Sequence, residues 1–190
     1  GRIEEGPRRV LIIGASGGYG LATRVTAAFG CGADTLGVFF ERPAEGNRTA
    51  SPGWYKSAAF TERAEAAGLY AANFAGDAFS AATKERVIEE IRSHVGQVDM
   101  VVYSLAAGAR TLPDGSLARS ALKPLGEAFS GTTIDLNTGE MRELSLEPAA
   151  PEEVADTVKV MGGEDWELWI AALLEAGVLA RGCVTTNYTT

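Results

Sequence analysis

Arg8-Arg9-Val10-Leu11-Ile12-Ile13-Gly14-Ala15-Ser16-Gly17-Gly18-Tyr19-Gly20-Leu21-Ala22 decides the fold. An apolar run of strand type breaks into glycines, and a helical pattern follows at once. That order reads as a strand, a phosphate-gripping turn and a helix. Without Cβ atoms the backbone can approach a pyrophosphate closely. A helix starting near Gly18 would aim free N–H groups and the positive end of its dipole at the anion. The spacing is Gly14-x-x-x-Gly18-x-Gly20, wider than the strict G-x-G-x-x-G. Ordinary tight turns share such glycines, so the rest of the chain has to discriminate.

The 190 residues suffice to bury a sizeable core, and one domain, 1–190, is expected. A hydrophobic content of 46% and a charged content of 22% are those of an ordinary globule. The net charge of −8 argues against nucleic acid or an anionic membrane as partner. No apolar run approaches the length of a bilayer span, and no N-terminal stretch reads as a signal peptide. Cys31 and Cys183 read as buried thiols in a reducing compartment, so a cytoplasmic location is expected. His94 is the sole histidine and no His/Cys cluster exists, so no metal site is expected.

Strand-like and helix-like segments alternate along the chain. Arg8–Ile13, Thr35–Phe40, Leu69–Phe74 and Val98–Leu105 read as strands. Tyr19–Phe29, stopped by Gly30 and Gly32, reads as a helix, as do Tyr55–Ala67, stopped by Gly68, and Ser80–His94. Ser80 fits an N-cap, with Val87 and Ile91 on one face of its helix. Strands apolar on both faces, alternating with helices, imply an α/β fold: a doubly wound Rossmann-type parallel sheet with a crevice at the C-terminal strand ends. The rhythm breaks over Ala106–Pro151, an irregular insertion after strand four. Within it Gly131–Ile134 and Glu140–Leu144 suggest a hairpin, and an insertion of this length is more often functional than idle. Pro151–Val160 and Glu164–Ala176 read as helices and Val184–Tyr188 as a fifth strand.

Four loops should meet at the crevice. The first is Gly14, Ala15, Ser16, Gly17, Gly18 and Tyr19. The second follows strand two at Phe40 and Glu41. A carboxylate there accepts from both ribose hydroxyls of an adenosine and repels a 2′-phosphate, which favours NAD. Arg42 next door pulls the other way, but Glu41 ends the strand directly. The third is Asp77 and Ala78, where a carboxylate can accept from an adenine amino group and a small residue leaves room for the ring; Asp77 reads equally well as a turn or cap residue. The fourth is Leu105 and Ala106, whose backbone can lie against a ribose. His94 reads as solvated. Trp54, Trp166 and Trp169 read as packing, the last two as one core-facing stripe. Glu164 and Asp165 suit the first turn of their helix.

An acid–base pair is missing from the pattern. Short-chain dehydrogenases, whose glycine spacing this turn shares, use a tyrosine with a lysine a few residues on, which lowers its pKa and holds the cofactor ribose. None of Tyr19, Tyr55, Tyr70, Tyr103 and Tyr188 has a lysine at such a following distance, and Lys56 directly adjoins Tyr55. No catalytic residue is therefore assigned.

Gly-Ala-Ser-Gly-Gly-Tyr-Gly-Leu-Ala at 14–22, Gly-Val-Phe-Phe-Glu-Arg-Pro at 37–43, Gly-Trp-Tyr at 53–55, Gly-Asp-Ala-Phe-Ser at 76–80, Val-Tyr-Ser-Leu-Ala at 102–106, Leu-Lys-Pro-Leu-Gly at 122–126 and Val-Met-Gly-Gly-Glu-Asp-Trp-Glu at 160–167 follow in order. Together they closely resemble the FabV-type trans-2-enoyl-CoA and enoyl-acyl-carrier-protein reductases of bacteria. The resemblance implies a monomeric NADH-using enzyme of fatty-acid synthesis that reduces the C2–C3 double bond of an enoyl thioester. It places nucleotide contacts at Gly14 to Tyr19, Phe40, Glu41, Asp77, Ala78, Leu105 and Ala106, and associates the Glu41 position with preference for NADH over NADPH. It also implies that the family's N-terminal segment, its catalytic tyrosine and lysine and its C-terminal part lie outside these 190 residues. Gly1 is not expected to be a natural start, and Asn187 to Thr190 departs from the family's small–aromatic–Ser/Thr–aromatic pattern. The other reading is a non-catalytic NAD-binding module.

Overall fold

The computed structural model describes residues 3–188, so Gly1 and the Thr189–Thr190 part of the departing tail lie outside the described residues. Val10, Leu11, Ile12 and Ile13 are wholly buried, and alternate side chains pack into different core clusters, as a strand covered on both faces requires. This strand, β1 (Arg9–Ile13), leads through the glycine turn into α1 (Gly18–Val25). The helix continues as a π-helix over Thr26–Cys31, and Gly32, at φ 68°, ends it; Gly30 lies inside that turn and stops nothing. Then come β2 (Asp34–Phe39), α2 (Pro52–Ala66), β3 (Ala71–Ala75), α3 (Ala81–Glu90) and β4 (Val98–Tyr103). Ser80 caps α3 as expected, its hydroxyl accepting from the Thr83 N–H. Beyond lie β5 (Ala109–Thr111), β6 (Leu117–Arg119), β7 (Phe129–Ile134), β8 (Met141–Leu146), α4 (Pro151–Met161), α5 (Glu164–Glu175) and β9 (Leu179–Asn187).

The chain divides into two compact units, Gly1–Ala106 with Trp166–Thr190, and Ala107–Asp165. The first holds a five-stranded parallel sheet in the order β3-β2-β1-β4-β9. The chain winds outward from β1 to β3, then restarts at β4 on the other side of β1. This is the doubly wound order, with its switch point between β1 and β4. One face packs Leu11, Ile13, Leu36 and Val38 against Val87 and Ile91 of α3 and Trp169 and Leu173 of α5. The other packs Val10, Ile12 and Val102 against Ala27. Trp169 is wholly buried, and Trp166 packs beside it with its indole N–H on Thr185 Oγ1 at 2.9 Å, so the two do form one stripe. His94 is half exposed, stacked on Tyr70 and 3.0 Å from Glu90.

The second unit holds two antiparallel hairpins, β5–β6 and the expected β7–β8. Arg110, on β5 and 3% exposed, is its polar anchor: Nη1 donates to the Lys159 carbonyl at 2.8 Å and to Glu164 at 2.5 Å. The β5–β6 hairpin has strands too short for an alternating pattern to show. β9 starts five residues before the Val184 expected from the sequence, because the ladder slips between Val98–Leu179 and Met100–Val184. Gly182, at φ 78°, lies in that slip, where glycine takes the backbone turn of a bulge most readily.

Arg24 is the largest departure from sequence expectation. A charged residue in a helix reads as solvent-facing, yet it is wholly buried. Its guanidinium donates to Thr35 Oγ1 at 3.1 Å, Asn73 Oδ1 at 2.7 Å and the Ala72 carbonyl at 2.7 Å, and sits 4.3 Å from the centre of the Phe60 ring. Gly37 of β2 makes the room: a Cβ there would lie 2.4 Å from Nη1. Burial pushes the guanidinium well below its ordinary value, to about 9, which leaves it charged at neutral pH. Arg24→Ala would strip three acceptors of their donor and open a cavity. Urea unfolding should show a loss of about 3 kcal/mol or more, with little rescue by Arg24→Lys, which lacks the planar fork.

Candidate functional site

The four loops singled out from the sequence all leave the same edge of the parallel sheet, the edge of the strand C-termini. Main-chain bonds tie their roots together. Gly14 N–H and Ala15 N–H donate to the Val38 carbonyl of β2 at 2.9 Å each, Gly76 N–H donates to the Phe39 carbonyl at 2.9 Å, and Ser104 N–H donates to the Ile13 carbonyl at 2.8 Å.

The glycines of the first loop do two different jobs. Gly14, at φ 90°, lies under the exit of β4, and a Cβ on it would meet the Ser104 carbonyl oxygen at 2.0 Å. A Cβ on Gly20 would meet the Gly14 carbonyl oxygen at 2.1 Å. These two close the packing of strand, turn and helix. Gly17 and Gly18 are open, with nothing within 4 Å of an added Cβ. Gly17 is the N-cap of α1, and neither a capping side chain nor an acidic residue attends the first turn. The helix therefore keeps its N-terminal donors and dipole end for an anion at a bare stretch of backbone. Tyr19 stands largely exposed beside it, stacked at 5.2 Å on Tyr188.

Glu41 comes to the same place from β2. Its carboxylate accepts from Ser16 Oγ of the glycine turn at 2.7 Å and, by a short bond, from Ser51 Oγ. Phe40 before it is 81% exposed, a free aromatic face at the strand exit. The third loop is held from behind. Lys84, almost buried, donates Nζ to the carbonyls of Ala78 at 3.0 Å and Phe79 at 3.1 Å, and the Trp169 indole N–H donates to Ala78 at 3.1 Å. Asp77 is exposed and its Oδ1 accepts from Phe79 N–H at 2.9 Å, so it shapes the turn. The Ala78 side chain is turned into the core, leaving Asp77 as the outward group. Leu105 packs partly on the same core and Ala106 is exposed. The sequence pattern gave no role to Ser51, Lys84 or Arg24 and used Gly53 only within the Gly-Trp-Tyr motif; the polar, breaker-rich loop at Pro43–Pro52 hid Ser51.

A groove of about 750 Å³ lies elsewhere in the first unit, between α1 and α2, lined by Leu21, Val25, Phe29 and Phe60 with Lys56 and Arg63 beside them. Among the described residues no group of His, Cys, Asp and Glu could hold a metal, and no helix is long and apolar enough to cross a membrane.

Residues 48–190 match the sequence model of the trans-2-enoyl-CoA reductase catalytic region, and residues 1–46 match that of the NAD(P)H binding domain of trans-2-enoyl-CoA reductase. The chain belongs to the trans-2-enoyl-CoA reductase family. It is 59% identical over 192 residues to an enoyl-[acyl-carrier-protein] reductase [NADH] of Erwinia tasmaniensis, a match covering 100% of this chain and 48% of that protein. The crystal structure of Treponema denticola trans-2-enoyl-CoA reductase in complex with NAD superposes with a TM-score of 0.94 at 51% identity, covering 97% of this chain and 47% of that one. The Clostridium acetobutulicum trans-2-enoyl-CoA reductase in complex with NADH gives a TM-score of 0.92 at 43% identity, covering 96% and 46%. The chain thus spans about half the length of the curated relatives it matches. A short-chain dehydrogenase from Burkholderia cenocepacia, 14% identical with a TM-score of 0.55, shares the fold. The resemblance read from the motifs and the Rossmann-type sheet both hold. Within this reductase family the boundary between the two sequence models falls after β2, inside the sheet, so it divides the chain where the fold does not.

The two kinds of glycine predict opposite outcomes. Gly14→Ala, with its positive φ and its backbone clash, should cost about 3 kcal/mol or more in urea unfolding. Gly17→Ala should stay within about 0.5 kcal/mol of the parent.

Proposed function

We propose that the protein carrying this chain reduces the C2–C3 double bond of trans-2-enoyl thioesters, carried by CoA or by acyl carrier protein, with NADH as reductant, in fatty-acid synthesis. Residues 1–190 supply its dinucleotide-binding part, and the protein works as a cytoplasmic monomer. The observation that carries the reading is the pairing of the bare Gly17–Gly18 backbone at the start of α1 with the Glu41 carboxylate, linked to that same turn through Ser16. One feature suits a pyrophosphate and the other an adenosine diol, and they lie side by side as the two halves of a dinucleotide demand.

In this reading the main-chain N–H groups of Ser16, Gly17 and Gly18 meet the pyrophosphate, Gly14 and Ala15, whose N–H groups are held by the Val38 carbonyl, shape the turn beneath it, Tyr19 flanks it, Glu41 accepts from the ribose hydroxyls, Phe40 and the main chain at Ala78 border the adenine, and Asp77 accepts from its amino group. Leu105 and Ala106 carry the main chain toward the nicotinamide side. Bound NADH supplies a hydride for C3, the β carbon of the thioester. The proton for C2 comes from a tyrosine assisted by a lysine. The tyrosines of this chain are committed otherwise: Tyr70 bonds Glu90, the Tyr55 hydroxyl accepts from Ala50 N–H, Tyr103 is buried, and Tyr19 and Tyr188 stack on each other.

Following NADH absorbance with trans-2-butenoyl-CoA tests the reading. The full-length protein should oxidise NADH, and the 190-residue chain alone should not exceed a control without enzyme. Gly17→Ala, which leaves the fold intact, should weaken NADH binding about tenfold. Glu41→Ala should weaken it about tenfold to a hundredfold and narrow the gap to NADPH. An unchanged NADH/NADPH ratio in Glu41→Ala would reverse the assignment of Glu41 and Arg42.

A further inference from the structure

Glu41 is held in place by groups that the cofactor reading does not itself require. Ser51 is the N-cap of α2, and serine at such a position ordinarily accepts a hydrogen bond from the N–H of the second or third helical residue. Here it makes no capping bond. Its hydroxyl instead donates to Glu41 Oε2 and accepts from the Arg42 N–H at 3.1 Å. Pro52 at the first helical position lacks one of the N–H groups that a cap would serve. Two residues on, Gly53 is buried, and a Cβ on it would fall 1.9 Å from Glu41 Oε1 and 2.3 Å from the carboxyl carbon. Gly53 carries no positive φ, so its backbone does not call for glycine. The space against Glu41 does.

A serine diverted from its cap, a glycine whose missing side chain is the carboxylate's berth, and Ser16 on the opposite side converge on one group. Ser16 binds Oε1 and Ser51 binds Oε2, which leaves one lone-pair direction on each oxygen. Two acceptors at fixed spacing match a vicinal diol. They also keep the negative charge where a 2′-phosphate would have to sit.

We infer that Ser51 and Gly53 are specificity-determining residues: they fix the Glu41 carboxylate as a rigid acceptor for the adenosine 2′,3′-diol, and so set the discrimination between NADH and NADPH. The inference rests on the cofactor reading given above. Ser51 also closes the 42–51 loop, its N–H donating to the Arg42 carbonyl at 3.0 Å. Arg42 stands ready beside the site for a 2′-phosphate once Glu41 is free to swing away.

Fluorescence titration of the full-length protein with NADH, NADPH and the NADH analogue lacking the adenosine 2′-hydroxyl tests this. Ser51→Ala should weaken NADH about tenfold, leave NADPH unchanged or tighter, and leave the 2′-deoxy analogue nearly unaffected. Ser51→Thr, which keeps the hydroxyl, should keep the parent NADH/NADPH ratio. Gly53→Ala should shift the ratio in the same direction as Ser51→Ala. If Ser51→Ala weakens all three nucleotides equally, the serine serves only the loop and the inference fails. If Ser51→Ala keeps the ratio while Glu41→Ala collapses it, Glu41 acts alone; the inference fails and the cofactor reading stands. If Glu41→Ala also leaves the ratio unchanged, or the parent binds neither nucleotide, the cofactor reading falls and the inference with it.

Discussion

No side chain fits between the first turn and the exit of β4. Gly14 packs on the Ser104 carbonyl and Gly20 packs on Gly14, so strand, turn, helix and neighbouring strand approach to main-chain contact. Everything at the crevice follows from that closeness. It starts α1 directly above the sheet edge, sets Gly17 and Gly18 at the surface, and puts Ser16 within reach of Glu41. The β1–β4 register, Ile13 opposite Tyr103, is the same constraint seen from the sheet.

The central sheet was legible because a buried parallel strand is written as a largely apolar run, and the runs at 10–13, 35–39 and 98–103 stand out. Helix stops at Gly32 and Gly68 were legible for a related reason: both take a positive φ that other residues resist. Where local pattern and packing disagreed, the reading failed. Arg24 has the charge of an exposed residue, but it lies four residues after Gly20 and three and four before Ala27 and Ala28, on the buried face of its helix, and Gly37, in the middle of an apolar strand, leaves room for it. The first residues of β9 are interrupted by Arg181-Gly182, which a bulge absorbs. The strands of β5 and β6 are three residues each, shorter than any repeat that could mark them.

The four loops of the candidate site were found in the sequence because strand exits are where a doubly wound sheet puts its ligand groups. What holds those loops was not visible there. Ser51 and Gly53 lie ten and twelve residues beyond Glu41, past a loop whose polar composition suggests nothing but solvent. Lys84 resembles any other lysine of an amphipathic helix until its ammonium is seen on the carbonyls of the 78–79 turn. Alanine at 78 was read for the space it leaves outside, and its methyl lies inside. Residue type predicts chemistry well at strand ends; the supports come from other elements, and their link is tertiary. The sequence-model boundary between residues 46 and 48 illustrates the cost of dividing such a chain linearly, since Glu41 lies on one side of it and the groups bonded to Glu41 lie on both.

Arg24 has an electrostatic consequence as well as a structural one. The berth that Gly37 leaves open is bounded by Arg24 Nη1 on one side and by the Ala15 Cβ, 2.9 Å away, on the other. A cation that stays charged at neutral pH therefore lies directly behind the glycine turn, with uncharged hydrogen-bond partners. Solvent screens a surface charge, but this one acts through low-dielectric protein, where its field decays slowly. It acts in the same sense as the dipole of α1, toward an anion at the turn, on a chain whose net charge is −8. The turn is thus placed between a buried cation behind it and the Glu41 carboxylate bonded to Ser16, and the fold supplies the positive member of that pair from its interior.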